Sequence, residues 1–99
     1  MPSNAGLTIF IPVFNEESLM VRNVGELVRF LDRHGTPYEI ILGSNGSTDG
    51  TVRQGKALSD RNHKIHFFHL DRKGVGTAFR EGVKRAAFDR IITVDMDLS

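Results

Sequence analysis

The chain has 99 residues, enough for one small domain and too few for two. With 39% hydrophobic and 25% charged residues and a net charge of +1, it is an ordinary globular chain with no field to draw it to nucleic acid. It lacks cysteine, so disulfides and thiolate metal sites are excluded; no apolar run nears the ~20 residues of a membrane helix, and Met1 to Gly6 carries no signal-peptide pattern, so a soluble cytoplasmic chain is expected.

Leu7 to Val13 is a β-branched apolar run closed by proline, and reads as a buried strand. Asn15-Glu16-Glu17-Ser18 has the composition of a helix start, with a side-chain cap and acids near the positive helix end. Met20, Val24, Leu27, Val28 and Leu31 then recur at steps of three and four, which predicts a helix over 19–34 stopped by Gly35-Thr36-Pro37. Tyr38 to Leu42 is the second strand, 43–50 a dense turn segment, and Thr51 to Asp60 a weaker helix. Lys64 to Leu70 is the third strand. Val75, Ala78, Phe79, Val83, Ala86 and Ala87 mark a third helical face that includes Gly82, and Ile91 to Val94 is the fourth strand.

The alternation βαβαβαβ predicts an α/β fold with a parallel sheet and right-handed crossovers. Ligands of such sheets sit beyond the carboxyl ends of the strands. That rule selects Val13 to Glu17, Ser44 to Gly50, Asp71 to Gly76 and Asp95 to Ser99, one segment per strand on a single rim. Five residues follow the fourth strand, so its apolar edge is left uncovered; this predicts self-association through that edge, or a chain that continues.

Asp95-Met96-Asp97 leaves a buried strand, and alternation can put both carboxylates on one side. Two hard oxygen donors at a rim suit Mg²⁺ or Mn²⁺, whose shell phosphate and water complete; the alternative is a polar strand end that caps a following helix. The run Ser44 to Thr51 can bind a ribose, a base edge or its own helix amides, and it lacks a P-loop lysine. Arg72-Lys73-Gly74-Val75-Gly76 places two cations before a helix start, an arrangement suited to phosphate or to a solvated basic turn. It is no dinucleotide fingerprint, because it follows the third strand and Phe79 occupies the third glycine's place. His66 and His69 fall on opposite faces of a strand and cannot share a metal. Met20 belongs to the core.

Taken together, the rim segments resemble a known family. Ile11-Pro12-Val13-Phe14-Asn15-Glu16-Glu17, Gly46-Ser47-Thr48-Asp49-Gly50-Thr51, Lys73-Gly74-Val75-Gly76-Thr77-Ala78 with Gly82, and Asp95-Met96-Asp97-Leu98-Ser99 are similar, in order and spacing, to the motifs of family 2 glycosyltransferases. The Asp-x-Asp-Leu-Ser ending most resembles dolichyl-phosphate (polyprenyl-phosphate) mannosyl- and glucosyltransferases. The resemblance implies the N-terminal half of a GT-A fold: a Rossmann-like open parallel sheet of about four strands, order 3-2-1-4, flanked by three helices. Residues 1–99 would be the nucleotide-sugar-binding part, interrupted after the Asp-x-Asp motif.

The implied reaction moves a sugar from a nucleotide diphosphate sugar, of GDP-mannose or UDP-glucose type, to a polyprenyl phosphate with inversion. In a longer parent this would occur at the cytoplasmic face of a membrane. By resemblance, Pro12, Phe14, Asn15 and Glu16 line the nucleoside pocket, and Asn45 stands where the family has an aspartate facing the base. Arg72, Lys73 and Gly74 neighbour the phosphates, and Asp95, Met96 and Asp97 meet the sugar diphosphate. The resemblance makes Asp95 and Asp97 the expected catalytic and metal-holding pair. Ser44 and Asn45 replace the family's paired acids, which leaves base preference open. Two alternatives accompany this reading: a nucleotide-binding fragment without turnover, and a haloacid dehalogenase-type phosphatase with Asp95 as nucleophile.

Overall fold

Apolar runs such as Leu7–Val13 and Tyr38–Leu42 can be buried on both faces only in the middle of a parallel sheet. That is where they lie in the computed structural model, which describes residues 3–71 and 75–97. The elements are β1 (Ser3–Val13), α1 (Met20–His34), β2 (Tyr38–Asn45), α2 (Thr51–Arg61), β3 (Ile65–Leu70), α3 (Val75–Arg85) and β4 (Phe88–Thr93). The four strands are parallel in the order β3-β2-β1-β4, as expected. Ile9 lies between Ile40 and Ile92, which sets the register of the central pairs.

Successive residues of β1 and β2 serve opposite faces. Ile9, Ile11, Val13, Ile40 and Leu42 pack with Met20, Val24 and Leu31 of α1 and with Leu58 of α2. Phe10, Ile41 and Phe68 face the other way, toward Ala78 of α3. Gly35 ends α1 in the left-handed region at φ 74°, where a Cβ would be strained. At the amino ends of the strands, buried Glu39 joins three elements. Its carboxylate accepts from the Thr8 hydroxyl at 2.7 Å and the Ala87 amide at 2.5 Å, and lies 3.2 Å from His66 Nε2. A buried carboxylate is tolerated when its lone pairs are used in this way.

The structure corrects two expectations. Asn15 to Ser18 do not cap α1: Leu19 holds the cap position without a side-chain hydrogen bond, and no acid lies in the first turn. The side chains of Asn15 and Glu17 bond the loop after β2 instead. The fourth strand begins at Phe88 rather than Ile91, where Phe88 pairs with Ser3 across an irregularity in β1. Asp89 and Arg90 conceal this start in the sequence, because an edge strand tolerates charge. Beside that edge, an open groove of about 570 Å³ runs between β4 and α1, lined by Phe30, Leu31, Ile91 and Ile92 among others.

Gly82 lets α3 lie close against the sheet. A Cβ there would stand 2.5 Å from Cδ1 of Phe10, whose ring already stacks near Phe68 and meets Phe79 edge-on. Gly82→Ala is therefore expected to destabilise the fold by about 1–3 kcal/mol through overpacking, despite alanine's better helix propensity. Urea unfolding measures this; an unchanged midpoint would show that the helix can retreat freely.

Candidate functional site

The carboxyl ends of β1, β2 and β4 carry the residues singled out above, and a mesh of hydrogen bonds fixes the loops that follow. Asn15 turns the chain after β1 with φ 49°, a left-handed conformation asparagine tolerates better than most residues. Its side-chain carbonyl accepts from the amides of Thr48 at 2.8 Å and Asp49 at 3.3 Å, while its own amide donates to Ser47 Oγ at 3.2 Å. The Glu16 amide donates to Thr51 Oγ1 at 2.9 Å, and the Gly50 amide donates to Glu17 Oε1 at 3.0 Å. Asp49 accepts from both the amide and the hydroxyl of Thr51. The Thr51 hydroxyl, followed by amide donors, holds the Asp49 carboxyl below its ordinary value. The mesh uses the side chains of Asn15, Glu17 and Asp49 to build the rim.

Beneath it, Asn45 is buried, and its side-chain amide donates to the Val13 carbonyl at 3.4 Å. Buried Ser44 contacts both Ser47 Oγ and His69 Nδ1 at 2.9 Å, so His69 supports the β2 loop from the neighbouring strand. The two positions that differ from the resembling family thus lie below the loop surface.

On the other side of β1, the amide of Val94 donates to the Phe10 carbonyl at 3.0 Å and carries the chain out of the sheet. Asp95 and Asp97 are exposed, whereas the Met96 side chain between them is buried against Met20 and Val24. Met96 thus serves the core with its side chain, and its neighbours face the rim. A cavity of about 310 Å³ opens here, lined by Pro12, Glu16, Leu19, Asp95, Met96 and Asp97. Phe14 is exposed nearby in sequence. Arg72, Lys73 and Gly74, expected beside the phosphates, lie outside the described residues, as do Leu98 and Ser99.

Acids from three loops converge. Partial burial holds the Glu16 carboxyl above its ordinary value, and the charges of Asp97, Asp49 and Asp95 add to that shift. Such a grouping disfavours its own ionisation unless a cation joins it. Among the described residues, no three acidic or histidine side chains stand close enough to hold a metal unaided. Two aspartates with the rest of the shell left to phosphate and water is nevertheless the donor set that Mg²⁺ accepts.

Sequence reasoning missed Asn23. This buried residue of α1 donates from Nδ2 to the Met96 carbonyl at 2.9 Å. Its signal was available: it is a polar residue on the inward stripe of an otherwise amphipathic helix. A larger cavity, about 470 Å³, lies at the opposite ends of the strands beside Tyr38, Glu39, Lys64 and His66. The Tyr38 phenol there is pushed up to about 12 by burial and by its bond to Asp32. This cavity lies away from the loops where ligands of open parallel sheets bind.

The raised Glu16 value has a signed consequence. The folded state binds this proton more tightly than the unfolded one. Ionisation therefore costs the fold nothing below the ordinary glutamate range and progressively more as pH rises through the raised value. Glu16→Gln should raise the melting temperature at neutral pH without divalent metal, by roughly one to a few degrees. The gain should vanish below about pH 4. Thermal melts across pH check it; a constant difference at all pH values would point to packing rather than charge.

Comparison with known proteins agrees with this geometry. The family described as Glycosyl transferase family 2 matches residues 8–99. An uncharacterised glycosyltransferase of Synechocystis is 32% identical over 93 residues, which is 93% of this chain and 29% of that protein. Undecaprenyl-phosphate 4-deoxy-4-formamido-L-arabinose transferases of Pectobacterium carotovorum and Proteus mirabilis are 33% and 29% identical over 94 residues, again 93% of this chain and 29% of theirs. The chain thus spans less than a third of the length of these curated relatives. With the family matched from Thr8 to the last residue, the chain belongs to glycosyl transferase family 2.

Proposed function

We propose that this chain is the donor-binding part of an enzyme that moves a sugar from a nucleoside diphosphate sugar to a polyprenyl phosphate. The observation that carries the reading is that Glu16, Asp95 and Asp97 line one cavity at the carboxyl rim of a sheet of this family. The acceptor class is supported by relatives named as undecaprenyl-phosphate transferases. A lipid acceptor would place the full-length protein at the cytoplasmic face of a membrane; no described helix is long and apolar enough to cross one.

In this reading, Pro12, Phe14 and Glu16 wall the nucleoside, and Asn45 lies at the base of the rim. Asn15 fixes the loop carrying Phe14 and Glu16. Arg72, Lys73 and Gly74 precede α3, whose amino end is electrostatically suited to the diphosphate. Asp97 would hold Mg²⁺ or Mn²⁺, with Asp95 toward the ribose or the same ion. When bound, the ion supplies charge stabilisation to the departing nucleoside diphosphate. The chain's own contribution is to hold these carboxylates in fixed positions before the reaction, so that little reorganisation accompanies charge development. The attacking group is already an anionic phosphate, and so needs little help from a general base.

The second reading is donor binding without turnover; the chain spans 29% of its relatives' length. No observation favours the phosphatase alternative. Calorimetry of GDP and UDP binding tests the first two readings. Divalent metal should tighten binding by about tenfold or more, and Asp97→Ala should abolish that increment while leaving weak metal-free binding. If metal leaves the affinity for both nucleotides unchanged, the site is wrongly assigned. Addition of a polyprenyl phosphate and a sugar nucleotide then separates transfer from binding.

A further inference from the structure

Asn23 sits in the first turn of α1, 73 residues from the aspartate pair in sequence. Its neighbours on the inward face, Met20 and Val24, are apolar and fully buried. A leucine would suit that surface, and an amide there is costly unless its polar atoms are used. Here the NH₂ group donates to the Met96 carbonyl, the peptide oxygen between Asp95 and Asp97. The Met96 side chain packs into the same cluster, so the turn is tied to α1 by both backbone and side chain.

The same helical turn also reaches the first-strand loop. The amides of Leu19 and Met20 donate to the Glu16 carbonyl at 3.0 Å, and the Asn23 amide donates to the Leu19 carbonyl at 2.9 Å. Glu16 is therefore linked to the Asp95–Asp97 turn through little more than one turn of helix. We infer that Asn23 is a positioning residue, which holds the Asp95–Asp97 turn at a fixed distance from Glu16 through the Met96 carbonyl. It touches neither nucleotide nor metal; it determines whether the carboxylates meet a cation as one preformed group. The functional half of this inference rests on the donor-site reading above, and the structural half does not.

Two measurements test it separately. Hydrogen exchange by NMR reads the turn directly. In Asn23→Leu, the Val94 amide, which bonds the Phe10 carbonyl where the chain enters the turn, should exchange about tenfold faster or more, while those of Phe10 and Ile41 in the sheet centre keep their protection. Calorimetry reads the consequence: the metal-dependent increment in GDP or UDP affinity should fall about ten- to a hundredfold, with metal-free binding retained. Asn23→Asp, which faces the carbonyl with an acceptor, should lose the increment as well.

Unchanged exchange at Val94 in Asn23→Leu would overturn the inference, as would a retained metal increment. So would an equal rise in exchange throughout the sheet, in either variant, which marks a merely structural residue. If the unmutated chain shows no metal increment, the donor-site reading fails. The exchange measurement still decides the positioning claim.

Discussion

The rim of this sheet depends on one side chain accepting two backbone amides. Asn15 leaves β1 in a left-handed conformation and offers its carbonyl to Thr48 and Asp49. Two loops that belong to different strands thereby become one body. Glu16, Glu17, Gly50 and Thr51 complete the mesh, so the positions of Phe14 and Glu16 are set by β2 as much as by β1. Without such partners, the amides of a helix-entry loop would rely on water, and the loop would sample many arrangements. A site assembled from loops needs this support, since loops alone hold geometry poorly.

The second constraint is electrostatic. Glu16, Asp49, Asp95 and Asp97 arrive from three strand ends, and their charges oppose one another. The fold tolerates this arrangement because the carboxylates remain close to solvent and because Thr51 and backbone amides stabilise Asp49. The cost is recoverable when a cation binds, which links the stability of the rim to the ligand it would hold. At the opposite end of the sheet, the sequence solves the reverse problem. Glu39 is buried there and satisfied by Thr8 and Ala87, with His66 beside it, and so ties β2, β1 and the start of β4 together.

Much of this was legible before the structure. Alternating elements and unbroken apolar runs at Leu7–Val13 and Tyr38–Leu42 dictated a parallel sheet with both faces covered, and the four rim segments followed from topology. What escaped were long-range hydrogen bonds. Composition places Asn15 equally well as a helix cap and as a loop clamp, because the same side-chain carbonyl serves either; only the proximity of Thr48 decides. Met96 reads as part of a polar motif, yet period-two alternation between Asp95 and Asp97 directs its side chain to the core. Asn23 stands out as a polar residue on an apolar stripe, but its partner lies 73 residues away, beyond the reach of local pattern. The start of β4 was obscured by Asp89 and Arg90, which an exposed edge accommodates.

The central claim is that the carboxyl rim binds a nucleoside diphosphate, rather than the larger cavity at the other end of the strands. NMR titration of the labelled chain with GDP or UDP and Mg²⁺ tests it most directly. The account predicts amide shifts concentrated at Phe14–Glu17, Ser47–Gly50 and Asp95–Asp97, on the edge of the sheet held together by Asn15. Shifts centred instead on Tyr38, Glu39, Lys64 and His66 would contradict it.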